Sequence, residues 1–86
     1  NMDFNSVLNE VTAIFKDVLD SGDIELKYET TANDVEDWDS LTHIQIVVAI
    51  EKHFNIRFTS GEIQIFKNVG EMCERIVKKL QTTGSV

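Results

Sequence analysis

The twenty residues from Val35 to Phe54, VEDWDSLTHIQIVVAIEKHF, decide how this chain folds. They pass from an acidic stretch without periodicity into a strongly apolar segment, with Asp39-Ser40 at the junction. Asp and Ser are both good N-cap residues, and acids at a helix N-terminus suit the helix dipole. A helix is therefore expected from Asp39 or Ser40 to about His53. Ile46, Val47, Ile50 and Phe54 form its core stripe. A second apolar stripe, Leu41, Ile44 and Val48, is displaced from the first. It means either unusually deep burial or an exposed strip for a partner, and its start beside Ser40 favours the partner.

Upstream, Phe4, Val7, Leu8, Val11, Ile14, Phe15, Val18 and Leu19 recur at helical spacing, with Asp3 as N-cap and Gly22 as the stop. Residues 20–38 lose that periodicity and fill with Asp, Glu, Thr and Asn. They read as a long loop pinned to the core by Ile24, Leu26, Tyr28 and Val35, and a loop this long is usually functional. Downstream, Asn55 suits a C-cap and Ile56-Arg57-Phe58 a short extended link. Thr59 or Ser60 caps a brief helix around Gly61 to Ile65. Asn68, with Glu71 three residues on, opens a last helix whose face is Val69, Met72, Cys73, Ile76, Val77 and Leu80. The expected fold is an all-α antiparallel four-helix bundle, with a short third helix and a long loop between helices one and two. Residues 2–80 form its single domain, and 81–86 a flexible C-terminal tail. Asn1 reads as an added residue ahead of a natural start at Met2.

Composition narrows the function. Eighty-six residues bury one small core and leave little room for an enclosed substrate pocket of roughly 300 Å³ or more. No apolar run approaches the ~20 residues of a membrane span, and no signal-peptide pattern opens the chain. The lone Cys73 rules out an internal disulfide and fits a reducing, cytoplasmic compartment. The net charge of −7 argues against a nucleic-acid partner. Eleven of the fifteen acids fall within residues 1–50, against Lys16 and Lys27. The negative field thus concentrates ahead of Ser40, where it either steers a basic partner or merely solubilises a loop.

Equipment for chemistry is sparse. Ser40 and His43 stand three apart on one helix, but no residue orients the histidine and no Gly-x-Ser-x-Gly elbow surrounds Ser40. Both histidines are expected on the surface of the second helix. The acids Asp34, Glu36, Asp37 and Asp39 lack the central glycine and closing glutamate of a calcium loop, so no dedicated metal site is expected. Cys73 falls on a core face, where a thiol behaves as a small apolar group. Trp38 is expected to pack over the helix entrance, and it could also shape the approach to Ser40.

With Asp39-Ser40-Leu41 at the head of its second helix, the chain resembles the acyl carrier proteins, the phosphopantetheine-bearing four-helix domains. The surrounding Val35 to Ile44 is similar to that family's loop-to-helix junction. Ala49 to Ile56 resembles the segment in which such carriers end the helix and turn. The resemblance runs from the first helix to Leu80. It implies that a phosphopantetheinyl transferase attaches 4′-phosphopantetheine covalently to the Ser40 hydroxyl, with Asp39 helping the transferase and its magnesium engage. Acyl cargo would then ride as thioesters and be presented to acyl-transferring or condensing enzymes by a monomeric protein without catalytic activity of its own. Leu41, Ile44, Gln45, Val48 and Glu51 fall on the part of the second helix where the family meets partners, with Trp38 beside them.

Departures from the pattern point away from a standard fatty-acid carrier. Asp37 replaces the usual glycine two residues before the aspartate, and Gln45 and Lys52 stand where acids are common. A discrete carrier in a fatty-acid, polyketide or specialised lipid pathway is expected. The alternatives are an unmodified helical interaction module using Leu41, Ile44 and Val48, and a small hydrolase using Ser40 and His43.

Overall fold

The computed structural model describes residues 3–64, 66 and 68–84. Among them the secondary structure is helical: α1 Phe4–Leu19, α2 Ser40–Phe54, α3 Ser60–Gln64 and α4 Val69–Gly84. α1 packs against both α2 and α4, whereas α3 has no comparably extensive contact with another helix. The core lies where the three long helices meet. Phe15, Ile46, Ile50, Met72 and Ile76 are fully buried there, with Val7, Val11, Val47, Val69 and Cys73 around them.

Local chemistry sets the helix ends. Asp3 caps α1 by accepting the Ser6 N–H at 2.9 Å. The helix stops at Asp20 rather than at Gly22. Asp20 adopts the left-handed conformation (φ 52°, ψ 48°), which aspartate and asparagine tolerate better than most residues. Asn55 ends α2 in the same way, with φ 57° and ψ 49°. Thr59 and Glu62 form a reciprocal box at α3: the Glu62 N–H donates to Thr59 Oγ1 and the Thr59 N–H to Glu62 Oε1. Ile65, where the third helix was expected to end, lies outside the described residues. Asn68 Oδ1 accepts the Glu71 N–H at 2.9 Å and opens α4.

The long loop between α1 and α2 is tied down by α4. The first N–H groups of a helix have no partner within it. Here Val69 N–H donates to Thr30 O at 2.8 Å and Gly70 N–H to Tyr28 O at 2.9 Å. Tyr28 stacks on Phe4, and its hydroxyl donates to Glu74. The Tyr28 ring covers Gly70 so closely that a Cβ there would overlap it. Leu26, Val35 and Trp38 are buried beneath the loop. Of the tail expected at 81–86, residues 81–84 are helical, as the last residues of α4, and 85 and 86 lie outside the described residues.

Candidate functional site

Ser40 is the first residue of α2, exposed, and its hydroxyl has no hydrogen bond among the described residues. Asp39 before it is the N-cap. Its Oδ1 accepts the N–H groups of Leu41 and Thr42, both at 3.0 Å. Thr42 completes a capping box by accepting the Asp39 N–H at 2.8 Å, and its hydroxyl donates to Asp37 O at 2.7 Å. The Thr42 N–H, chiefly, holds the Asp39 carboxyl below the ordinary aspartate range, and the Leu41 N–H adds to this. Both backbone bonds use Oδ1, which leaves Oδ2 unbonded among the described residues. An anion joined to Ser40 would therefore meet the positive end of the helix dipole, but two of its first N–H groups are already taken.

An open cleft of about 630 Å³ runs beside Ser40, lined by Ala32, Trp38, Asp39, Ser40, His43, Ile44, Ile63 and Phe66. It is a surface cleft, not an enclosed pocket, for which a chain of this length leaves little room. Trp38 is only 7% exposed and packs edge-on against Phe15, with ring centroids 4.9 Å apart. It belongs to the core and to the cleft wall, which it shares with Ile44 of the exposed strip.

His43 is not the surface residue expected from the sequence. It is half-buried, and its ring bridges two elements. Trp38 Nε1–H donates to His43 Nδ1 at 3.0 Å. Indole nitrogen can only donate, so Nδ1 is the acceptor and the proton sits on Nε2. Nε2–H in turn reaches Ile63 O of α3 at 3.1 Å. Both ring nitrogens are committed, and neither is left to activate Ser40. The sequence carried the signal for this position: His43 precedes Ile46, Val47 and Ile50 by three, four and seven residues, which puts it on the core stripe.

The second stripe of α2 is exposed: Leu41 at 67%, Ile44 at 57% and Val48 at 41%. Gln45 is exposed beside it. Glu51 is different. It is half-buried, and its Oε2 accepts the Phe58 N–H at 2.8 Å, which fixes the turn after α2. Among the described residues no three acidic, histidine or cysteine side chains converge as a metal site. Asp34 is occupied with the N–H and hydroxyl of Thr31.

No curated protein matches the chain. A family model described as "Phosphopantetheine attachment site" matches residues 9–76. The solution structure of a holo acyl carrier protein from Geobacter metallireducens is 42% identical, with a TM-score of 0.86. The match covers 92% of this chain and 91% of that one.

Proposed function

This chain belongs to the acyl carrier protein family, and from that membership we propose that Ser40 is its attachment residue. The protein is a carrier without catalytic activity of its own, and 4′-phosphopantetheine is its covalent group. When bound, the group supplies a terminal thiol on which acyl cargo is held as a thioester. One observation carries the choice of Ser40. It is an exposed hydroxyl, free of hydrogen bonds among the described residues, at the head of a capped helix and beside an open cleft.

The residues around Ser40 fit the group. Ser40 Oγ offers the attachment atom. Asp39 fixes the helix end through Oδ1 and keeps Oδ2 for the transferase and its metal ion. Trp38, Ile44, Ile63 and Phe66 give an apolar wall beside the attachment point. Leu41, Ile44, Gln45 and Val48 form the partner face, supported by their exposure on one side of α2. Glu51 contributes from the edge of that face while it holds the Phe58 N–H.

The protein acts as a monomer in a fatty-acid, polyketide or specialised lipid pathway, loaded by a phosphopantetheinyl transferase and served by acyl-transferring or condensing enzymes. No helix among the described residues is long and apolar enough to cross a membrane. A cytoplasmic location is supported by the single buried, unpaired Cys73. The test is acyl loading. Protein incubated with a transferase, magnesium and acyl-coenzyme A should gain one acyl-phosphopantetheine group, from which hydroxylamine releases the acyl part, and Ser40→Ala should gain none. Equal gain in Ser40→Ala would move the site elsewhere.

A further inference from the structure

The partner face of α2 is not uniformly acidic. Glu51 is the only acid in the helix, and its carboxylate is turned to the Phe58 N–H. Lys52 lies one turn beyond Val48, in line with the exposed strip. Arg57 follows the C-cap. Both are exposed, and neither is in an ion pair among the described residues. With Val48, Glu51, Asn55 and Ile56 they line a shallow depression of about 360 Å³, two cations against one carboxylate that is bonded to the Phe58 N–H. His53 is not part of it, because its Nε2 pairs with Glu10 of α1 at 2.6 Å. The other end of the strip carries Asp37 and Asp39, both exposed.

Lys52 lies thirteen positions beyond the N-cap Asp39, about 20 Å along the helix at 1.5 Å per residue. That is roughly twice the screening length at physiological salt. The two ends therefore act as separate contacts of opposite sign instead of cancelling. Between them lie Leu41, Ile44 and Val48, an apolar centre that a docked surface would desolvate. Resting on the carrier role proposed above, we propose that this face is bipolar. The enzyme seated on it presents basic side chains to Asp37 and Asp39 and acidic side chains to Lys52 and Arg57. A docking surface that is basic throughout would meet like charge at the far end, which selects against it.

The test uses three amphipathic helical peptides of about 18 residues (~27 Å long) that share one apolar face. One carries lysines at one end and glutamates at the other; the second has lysines at both ends, and the third glutamates at both. Titrated into the isotope-labelled protein, the mixed peptide should bind roughly three- to ten-fold tighter than the all-lysine peptide, the range two exposed ion pairs supply. A spin label at its glutamate end should broaden Lys52 and Arg57, and one at its lysine end Asp37 and Asp39. The variant Lys52→Glu/Arg57→Glu should reverse the order in favour of the all-lysine peptide. The proposal is overturned if the all-lysine peptide binds wild type as tightly as the mixed one. It is also overturned if the double variant keeps the order, or if no peptide shifts the strip. Loading of Ser40 is read separately by mass, so a protein that loads but shows the wrong peptide order sinks the bipolar face and leaves the carrier role standing.

Discussion

Trp38 and His43 are joined across the first turn of α2: the indole Nε1–H donates to imidazole Nδ1 at 3.0 Å, with the rings 5.9 Å apart and inclined by 26°. The bond fixes the histidine tautomer, and the remaining N–H then reaches Ile63 O. One side chain thus links the end of the long loop, α2 and α3, along the wall of the cleft beside Ser40. It also removes the one candidate base from the serine, so the constellation that looks like the start of a hydrolase is a structural bridge.

His43→Ala should strand the buried Trp38 N–H and cost about 1–3 kcal/mol, the usual penalty for an unsatisfied buried donor. Trp38→Phe, which removes the donor itself and keeps an aromatic ring, should cost less at this bond. Urea denaturation of both variants gives the comparison. Amide exchange at Ile63 should speed up in His43→Ala, because α3 loses a tether. An unchanged midpoint and unchanged exchange would contradict the bridge.

Gly70 and Tyr28 make a second tie. Gly70→Ala would push Tyr28 away and with it the carbonyl that accepts the Gly70 N–H. A loss of about 1–3 kcal/mol is expected, as for other overpacked sites. Gly22→Ala is the control. Nothing lies within 4 Å of a Cβ there, so its effect should stay within about 0.5 kcal/mol.

Thiol chemistry separates the core cysteine from the attached group. Cys73 is fully buried, and burial, with a smaller contribution from Glu74, pushes its thiol up to about 12. At neutral pH it is protonated as well as inaccessible, and the thiolate is the reactive form. A disulfide reagent should therefore find no fast thiol in the folded, unloaded protein and one after attachment of phosphopantetheine that carries no acyl group. Denaturation should expose one more thiol in each case. A fast thiol in the unloaded protein would show Cys73 to be accessible.

The attachment of α3 should weaken in acid. Glu62 accepts the Thr59 N–H at 2.8 Å and pairs with Lys79 at 2.9 Å. The Thr59 bond first, then Lys79, holds its carboxyl below the ordinary glutamate range. A lowered folded value means stability that is present above the unfolded value and lost as pH falls through the folded one. Protection of the α3 amides, measured against their intrinsic exchange rate at each pH, should fall below about pH 4, where a glutamate in the unfolded chain takes up its proton. In Glu62→Gln the acid-dependent part of that change should vanish.

Much of this architecture was legible in the sequence. The stripes of α1, α2 and α4 have periods that only a helix satisfies, and Asp3, Asp39, Thr59 and Asn68 announce the starts. The ends were harder to read. Asp20 stops α1 because aspartate can enter the left-handed region, and Gly22 two residues on was the more obvious candidate. Residues 81–84 stay helical although their sequence, Gln81-Thr82-Thr83-Gly84, contains no strong helix former after the first residue. His43 is polar and so expected to face water, yet its spacing sets it on the core stripe, where it is half-buried. Glu51 shows the opposite limit. Its place on the helix is plain from the sequence, but its bond to Phe58 N–H depends on the turn that brings the chain back.

Ser40 is the proposed point of attachment of the phosphopantetheine. The most direct test is the intact mass of the protein after incubation with a broad-specificity phosphopantetheinyl transferase, magnesium and coenzyme A, with Ser40→Ala alongside. A gain of one phosphopantetheine group in the wild type and none in Ser40→Ala is the predicted result. The same gain in the variant, or no gain in a wild type shown to be folded, would contradict it.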